Sequence, residues 1–223
     1  DEIITSDESA NLILMASGWE YGKLPKYSEM ETYAREFSFN PFRDYLNSLK
    51  VTSADHIGVL HDIGRVALGI SDQLSLEMIA KTVIGAVART MEPGCEMQTC
   101  LVLKGPQGIG KTTFFKALFG NEFFGHLDPS RPQTEWFIAM GTKVCMEFGE
   151  LESFNSKKDS GQIKNFLSSA SDLYRSPYDK VAKSVPRSGI VVGSVNVDFP
   201  LNDETGGRRF WMVDVEQKID LQW

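Results

Sequence analysis

Residues Gly105-Pro-Gln-Gly-Ile-Gly-Lys-Thr112 constrain this chain more than any others, because they sit between the apolar run Cys100-Leu-Val-Leu103 and the helix-like Thr113-Phe-Phe-Lys-Ala-Leu-Phe119. Strand, glycine-rich loop and helix start follow in the order that a polyphosphate requires. Gly105, Gly108 and Gly110 accept backbone angles that turn successive N–H groups inward, which builds an anion nest at the positive end of a helix dipole. On this reading Gly105, Pro106, Gln107, Gly108, Ile109, Gly110, Lys111, Thr112 and Thr113 cradle the phosphates of ATP. Lys111 reaches the β- and γ-phosphate oxygens and the Thr112 hydroxyl ligates Mg²⁺. A chance cluster of Gly, Lys and Thr would not bring the flanking strand and helix with it.

The 223 residues, 42% of them apolar, are enough for a proper core in one or two domains. No apolar stretch approaches the roughly 20 residues of a membrane span, and no basic-then-apolar leader opens the chain, so a soluble, cytoplasmic protein with no membrane partner is expected. Cys95, Cys100 and Cys145 are too few and too irregular for a disulfide framework, which favours a reducing compartment. Cys100 and Cys145 lie in strand-like runs and read as core. The three histidines are scattered, which argues against a centre built from His and Cys. A formal net charge of −7 excludes a general nucleic-acid-coating protein, so any nucleic-acid contact is local. The chain opens on Asp1 and stops at Trp223, and reads as a piece of a longer protein, truncated at its C-terminus.

Helical spacing of apolar residues marks Tyr33–Phe37, Phe42–Leu46 and Leu76–Met91, the last with Leu76, Ile79, Val83, Ala86 and Val87 on one face and Pro93-Gly94 as its stop. Asn40-Pro41 fits a helix start. Residues 1–95 are therefore expected to form an N-terminal helical domain. From residue 96 the pattern changes to short apolar runs alternating with helical segments: Cys100–Leu103, Val144–Phe148, Gly189–Val195 and Phe210–Val213. Continuous apolar strands alternating with helices predict an α/β core over 96–223, with a largely parallel sheet buried on both faces.

Hydrolysis also needs an acid at the end of a neighbouring strand. Glu147 and Glu150 in Val144-Cys-Met-Glu-Phe-Gly-Glu150 qualify; Glu150 follows the strand and takes the catalytic role, with Mg²⁺ held partly through water. Glu147 sits within the apolar run, where an ionised carboxylate without a partner is costly, so a second role near Mg²⁺ is expected of it. A pair of solvated acids at a strand terminus is the plainer alternative. Asn196 ends the run Ile190–Val195, where an amide can address both a γ-phosphate and an attacking water, unless it only opens the turn towards Pro200. Arg208 and Arg209 follow Gly206-Gly207; one can support the fold while the other reaches a phosphate, in a neighbouring subunit if placed at an edge, or both are solvated. Arg175, Lys180, Lys183 and Arg187, flanked by Tyr174 and Tyr178 and opposed by Asp179 alone, form a basic stretch suited to a nucleic-acid backbone or to the nucleotide itself.

Together these residues resemble the virulence-associated protein E family of phage and mobile-element proteins, itself similar to superfamily 3 helicases. The resemblance rests on Asn40–Leu46, Val87–Gly94, Gly105–Thr112, Glu147–Leu151, Arg175–Tyr178, Ser194–Asn196 and Thr205–Trp211, and so spans about 40 to 215. It implies a P-loop NTPase core of the AAA+ and superfamily 3 type. The implied activity is a ring ATPase, hexameric or similar, that uses ATP and Mg²⁺ to move along single-stranded or forked DNA during replication, often beside an upstream primase domain. Within it Lys111, Glu147, Glu150, Asn196 and one of Arg208 and Arg209 would be catalytic, and Thr112 and Glu150 would hold the metal. The Glu-Phe-Gly-Glu motif departs from the Asp-Asp or Asp-Glu of many helicases, which leaves the division between Glu147 and Glu150 open. A small-molecule kinase and a nucleotide-bound regulatory module that binds DNA without unwinding it are the rival readings.

Overall fold

Asn40 opens the described chain as a helix cap: its Oδ1 accepts the N–H groups of Phe42 and Arg43, each at 3.1 Å, and launches α1 (Pro41–Ser48). The computed structural model describes residues 40–50, 56–149, 151, 157–174, 182–196 and 208–221. Two compact units divide the chain after Ser48, and α1 belongs to the first.

The second unit begins with the helices α2 (His56–Leu68) and α3 (Gln73–Met91), which pack on each other. Asp72 caps α3 by accepting the Ser75 N–H at 2.8 Å, and this bond holds the Asp72 carboxyl below the usual carboxylate range. Leu76, Ile79 and Ala86 are buried on α3, whereas Val87, expected on the same face, is exposed. The expected boundary near residue 95 is not where the chain divides. Helix α3 packs on the sheet, and in its last turn Arg89 is buried, donating to the carbonyls of Cys95 at 3.2 Å, Gly189 at 3.1 Å and Met97 at 2.9 Å. Burial, and then the nearby Arg187, push the Arg89 guanidinium down to about 10. A helix anchored this way shares a core with the strands that follow it.

Those strands are β1 (Cys100–Lys104), β2 (Phe124–Leu127), β3 (Cys145–Phe148), β6 (Ile190–Val195) and β7 (Phe210–Asp214). They form one sheet in the order β2-β3-β6-β1-β7, and every pairing is parallel. The fold is α/β with a parallel central sheet, as the continuous apolar runs predict. Parallel neighbours need crossovers. Helix α5 (Gln133–Met140) supplies the one between β2 and β3, while α4 (Lys111–Phe119) carries the chain from β1 to the far strand β2 and α6 (Lys157–Ser168) follows β3. Between α6 and β6 stands an antiparallel hairpin of β4 (Ser171–Tyr174) and β5 (Lys183–Pro186). Under the sheet, Trp136 meets Phe148 and Phe166 edge-on with ring centroids 5.0 and 5.5 Å apart, a geometry that adds about 0.5–1.5 kcal/mol per pair beyond area burial. Cys100 and Cys145 are fully buried, and burial first, then the charge of Glu147, pushes both thiols up.

Candidate active site

The register of the sheet brings the carboxyl ends of β1, β3 and β6 together: Lys104 lies opposite Val195, and Phe148 opposite Gly193. The chain leaves β1 into the glycine-rich loop at this edge, where crevices of open α/β sheets bind ligands. Gly105 is required by proximity, because a Cβ there would lie 2.1 Å from the carbonyl oxygen of Val215. Gly110 is required by conformation: it caps α4 with φ +103° and brings no side chain over the first-turn N–H groups. The loop is fastened from behind, where the Ile219 N–H donates to Ile109 O at 2.9 Å and the Val215 N–H to Lys104 O at 2.7 Å.

A cleft of about 380 Å³ opens over this loop, lined among others by Gln107, Lys111, Thr112, His126, Glu147 and Asn196. The buried Lys111 points its Nζ to the Asn196 Oδ1 at 2.9 Å and to the carbonyls of Gly105 and Pro106 at 2.7 and 2.9 Å. The Thr112 hydroxyl donates to Glu147 Oε1 at 3.0 Å. Glu147 is fully buried, yet among the described residues its Oε2 has no hydrogen-bond donor. His126 Nδ1 stands 3.5 Å from this oxygen, too long for a hydrogen bond. A buried carboxylate oxygen left without a donor costs free energy, so this arrangement is set up to receive something.

The structure thus gathers Gly105–Thr113, Glu147 and Asn196 at one edge. The carboxylate that meets Thr112 is Glu147, the residue given the secondary role from sequence; Glu150 falls outside the described residues. Arg208 and Arg209 are placed elsewhere. Because β7 runs parallel to β1, they lie at the amino edge of the sheet, a strand length of roughly 15 Å from the glycine-rich loop of their own chain. Arg208 is exposed, while Arg209 donates from Nε to Ser168 Oγ at 3.0 Å.

One expected nucleic-acid residue is corrected. Arg187 is 2% exposed, donates from Nε to both oxygens of Asp172 at 3.2 and 3.1 Å and from Nη1 to Phe166 O at 2.6 Å, and stacks 4.4 Å over the Phe166 ring. A guanidinium committed to a buried carboxylate cannot reach a phosphate backbone. Arg175 and Lys180 fall outside the described residues, and Lys183 opens β5 opposite Tyr174. Sequence reasoning missed His126 and Asp172. The first is half of a cross-strand pair, His126 opposite Glu147, visible only once β2 and β3 are in register. The second needed the hairpin that returns Arg187 to it.

The family model for the virulence-associated protein E-like domain matches residues 46–223, and the chain belongs to that family. No curated protein sequence matches it. Two solved apo structures of the NrS-1 C-terminal region, one of them its A form, share the fold, each with a TM-score of 0.55 at 14% identity. They match 82% and 84% of this chain, which spans only 42% and 44% of theirs. Among the described residues no helix is long and apolar enough to cross a membrane.

Proposed function

We propose that this chain is a P-loop ATPase domain of the AAA+ and superfamily 3 helicase type, which couples ATP hydrolysis to movement on single-stranded or forked DNA in a phage or mobile-element replication protein. The observation that carries this reading is the meeting of Lys111, Thr112, Glu147 and Asn196 in one cleft over a glycine-rich loop. A kinase gives no task to the strand-end amide beside Lys111, nor to an arginine at the far edge.

The donor set fits Mg²⁺. Thr112 Oγ1 and the Glu147 carboxylate are hard oxygen ligands side by side, and Glu147 Oε2 is buried without a donor. Held by Thr112 and Glu147, Mg²⁺ would supply positive charge to offset the negative charge that develops during phosphoryl transfer. The chain's own groups do the rest. Backbone N–H groups of the loop and of the first turn of α4 bind the phosphate oxygens; Lys111 offers a point charge to the same oxygens; Asn196 orients the attacking water against the γ-phosphorus; Glu147 and Glu150 would hold the metal and that water.

A subunit of this kind cannot complete its own site with Arg208, so the finger serves a neighbour's γ-phosphate, as a homo-oligomeric ring would arrange. The basic residues Arg175, Lys180 and Lys183 contact the DNA backbone, and an upstream primase domain completes the replication protein.

Phosphate release from ATP, measured with and without single-stranded DNA over protein concentrations that span assembly, tests this. Turnover that DNA stimulates and Lys111→Ala removes is expected. Turnover unchanged in Lys111→Ala overturns the reading.

A further inference from the structure

The cleft contains a side chain that the proposed chemistry leaves idle. His126 rises from β2 directly opposite Glu147 on β3, so the two side chains leave the same face of adjacent strands. Its ring is not loose: Phe124, two residues earlier on that face, meets it edge-on with centroids 5.0 Å apart, and Phe124 itself lies under Lys116 Nζ at 5.7 Å. Nor is it core packing, since 55% of the side chain is exposed to the cleft.

Its distance from Glu147 is informative. A hydrogen bond would close to about 2.7–3.0 Å, yet Nδ1 and Oε2 stand 3.5 Å apart and Oε2 is buried with no donor. Two ligands of one cation, each bound at about 2.1–2.2 Å, stand about 3.0 Å apart at a right angle and about 3.5 Å apart at an opened angle near 110°. The pair therefore has the spacing of neighbouring ligands, and Thr112 Oγ1, 3.0 Å from the other Glu147 oxygen, supplies a third donor.

Resting on the ATPase reading, we propose that His126 Nδ1 is a direct ligand of the divalent cation held by Thr112 and Glu147. The metal site is then a mixed nitrogen–oxygen centre that favours Mn²⁺ and the heavier first-row cations over Mg²⁺. Imidazole binds transition cations well, with affinity rising along the first row, and adds little for Mg²⁺, which keeps to oxygen and water. The half-exposed ring can be removed without opening the core.

Protein carrying ¹⁵N-labelled histidine, loaded with Mn²⁺ and a non-hydrolysable ATP analogue, is examined by pulsed electron paramagnetic resonance. The expected result is a histidine-nitrogen coupling to Mn²⁺ that vanishes in His126→Ala. In that variant Mn²⁺ affinity in the nucleotide complex falls about tenfold while Mg²⁺ affinity stays within about twofold. Mn²⁺ bound with nucleotide but uncoupled to nitrogen, or coupled equally in His126→Ala, overturns the role of His126 and leaves the ATPase reading standing. Failure of Mn²⁺ and nucleotide to bind the wild-type chain overturns both.

Discussion

Among the described residues of this unit two carboxylates are buried, Asp172 and Glu147, and the protein treats them in opposite ways. Asp172 is 3% exposed, and both its oxygens accept from the Arg187 guanidinium, which is itself held by Phe166 O and the Phe166 ring. Glu147 is wholly buried, and only one of its oxygens is bonded, to a neutral hydroxyl. Both lie in the same fold under the same desolvation cost. The difference is that Asp172 has a resident partner and so fastens the hairpin to α6, whereas Glu147 keeps an oxygen for a ligand. Where buried charge is fully paired the role is architectural; where it is left half-paired beside a glycine-rich loop, it marks the candidate site.

That contrast can be broken at several points. The largest effect is expected from Arg208→Ala, which lies far from Glu147 in its own chain and acts only if the half-paired site is completed by a neighbour. Turnover should fall about 10³-fold or more and return when the variant is mixed with Lys111→Ala subunits, because some interfaces then join an intact loop to an intact finger. Mixed assemblies that form but stay inactive remove Arg208 from the mechanism.

Arg187→Ala should strand Asp172 as an uncompensated buried charge and cost about 3–5 kcal/mol of stability, read as a lowered denaturation midpoint. Replacing both partners, Asp172→Leu with Arg187→Met, should restore much of that loss, since a well-packed apolar pair is often as stable as a buried ion pair. If the double variant is as unstable as the single one, the pair does more than neutralise charge.

Thr112→Ala removes the one donor that Glu147 has among the described residues. Turnover is expected to drop about 10²-fold with the melting midpoint nearly unchanged; a large fall in the midpoint would make the Thr112–Glu147 contact structural, like that of Asp172. The smallest effect is expected in the basic stretch. Lys180→Ala should flatten the salt dependence of DNA binding by about one unit of slope per lost phosphate contact. An unchanged slope would take this lysine off the backbone.

Much of the fold was legible because its signals are local. The apolar runs that became β1, β3, β6 and β7 are long enough to announce a parallel sheet, and the glycine-rich loop announces itself by residue type. Cys100–Lys104 and Lys111–Phe119 fall within a residue or two of their expected bounds. What escaped depends on register and long-range pairing. The four-residue strand β2 and the helix α2 are too short or too mixed to read alone, so His126 gave no sign of facing Glu147. Arg187 looked like part of a basic stretch because its charge is cancelled by Asp172, across a hairpin. Helix α3 read as part of a separate helical domain, since nothing local to it reveals that Arg89 reaches the Gly189 carbonyl.

Glu147→Gln tests the role of this carboxylate most directly, with thermal melting and ATP turnover measured on the same sample. The half-paired carboxylate predicts that the melting midpoint holds or rises, since an incompletely paired buried charge is removed at nearly constant shape, while turnover falls by about 10²–10³-fold. A midpoint that drops by as much as that of Arg187→Ala, with turnover per folded molecule intact, would contradict it.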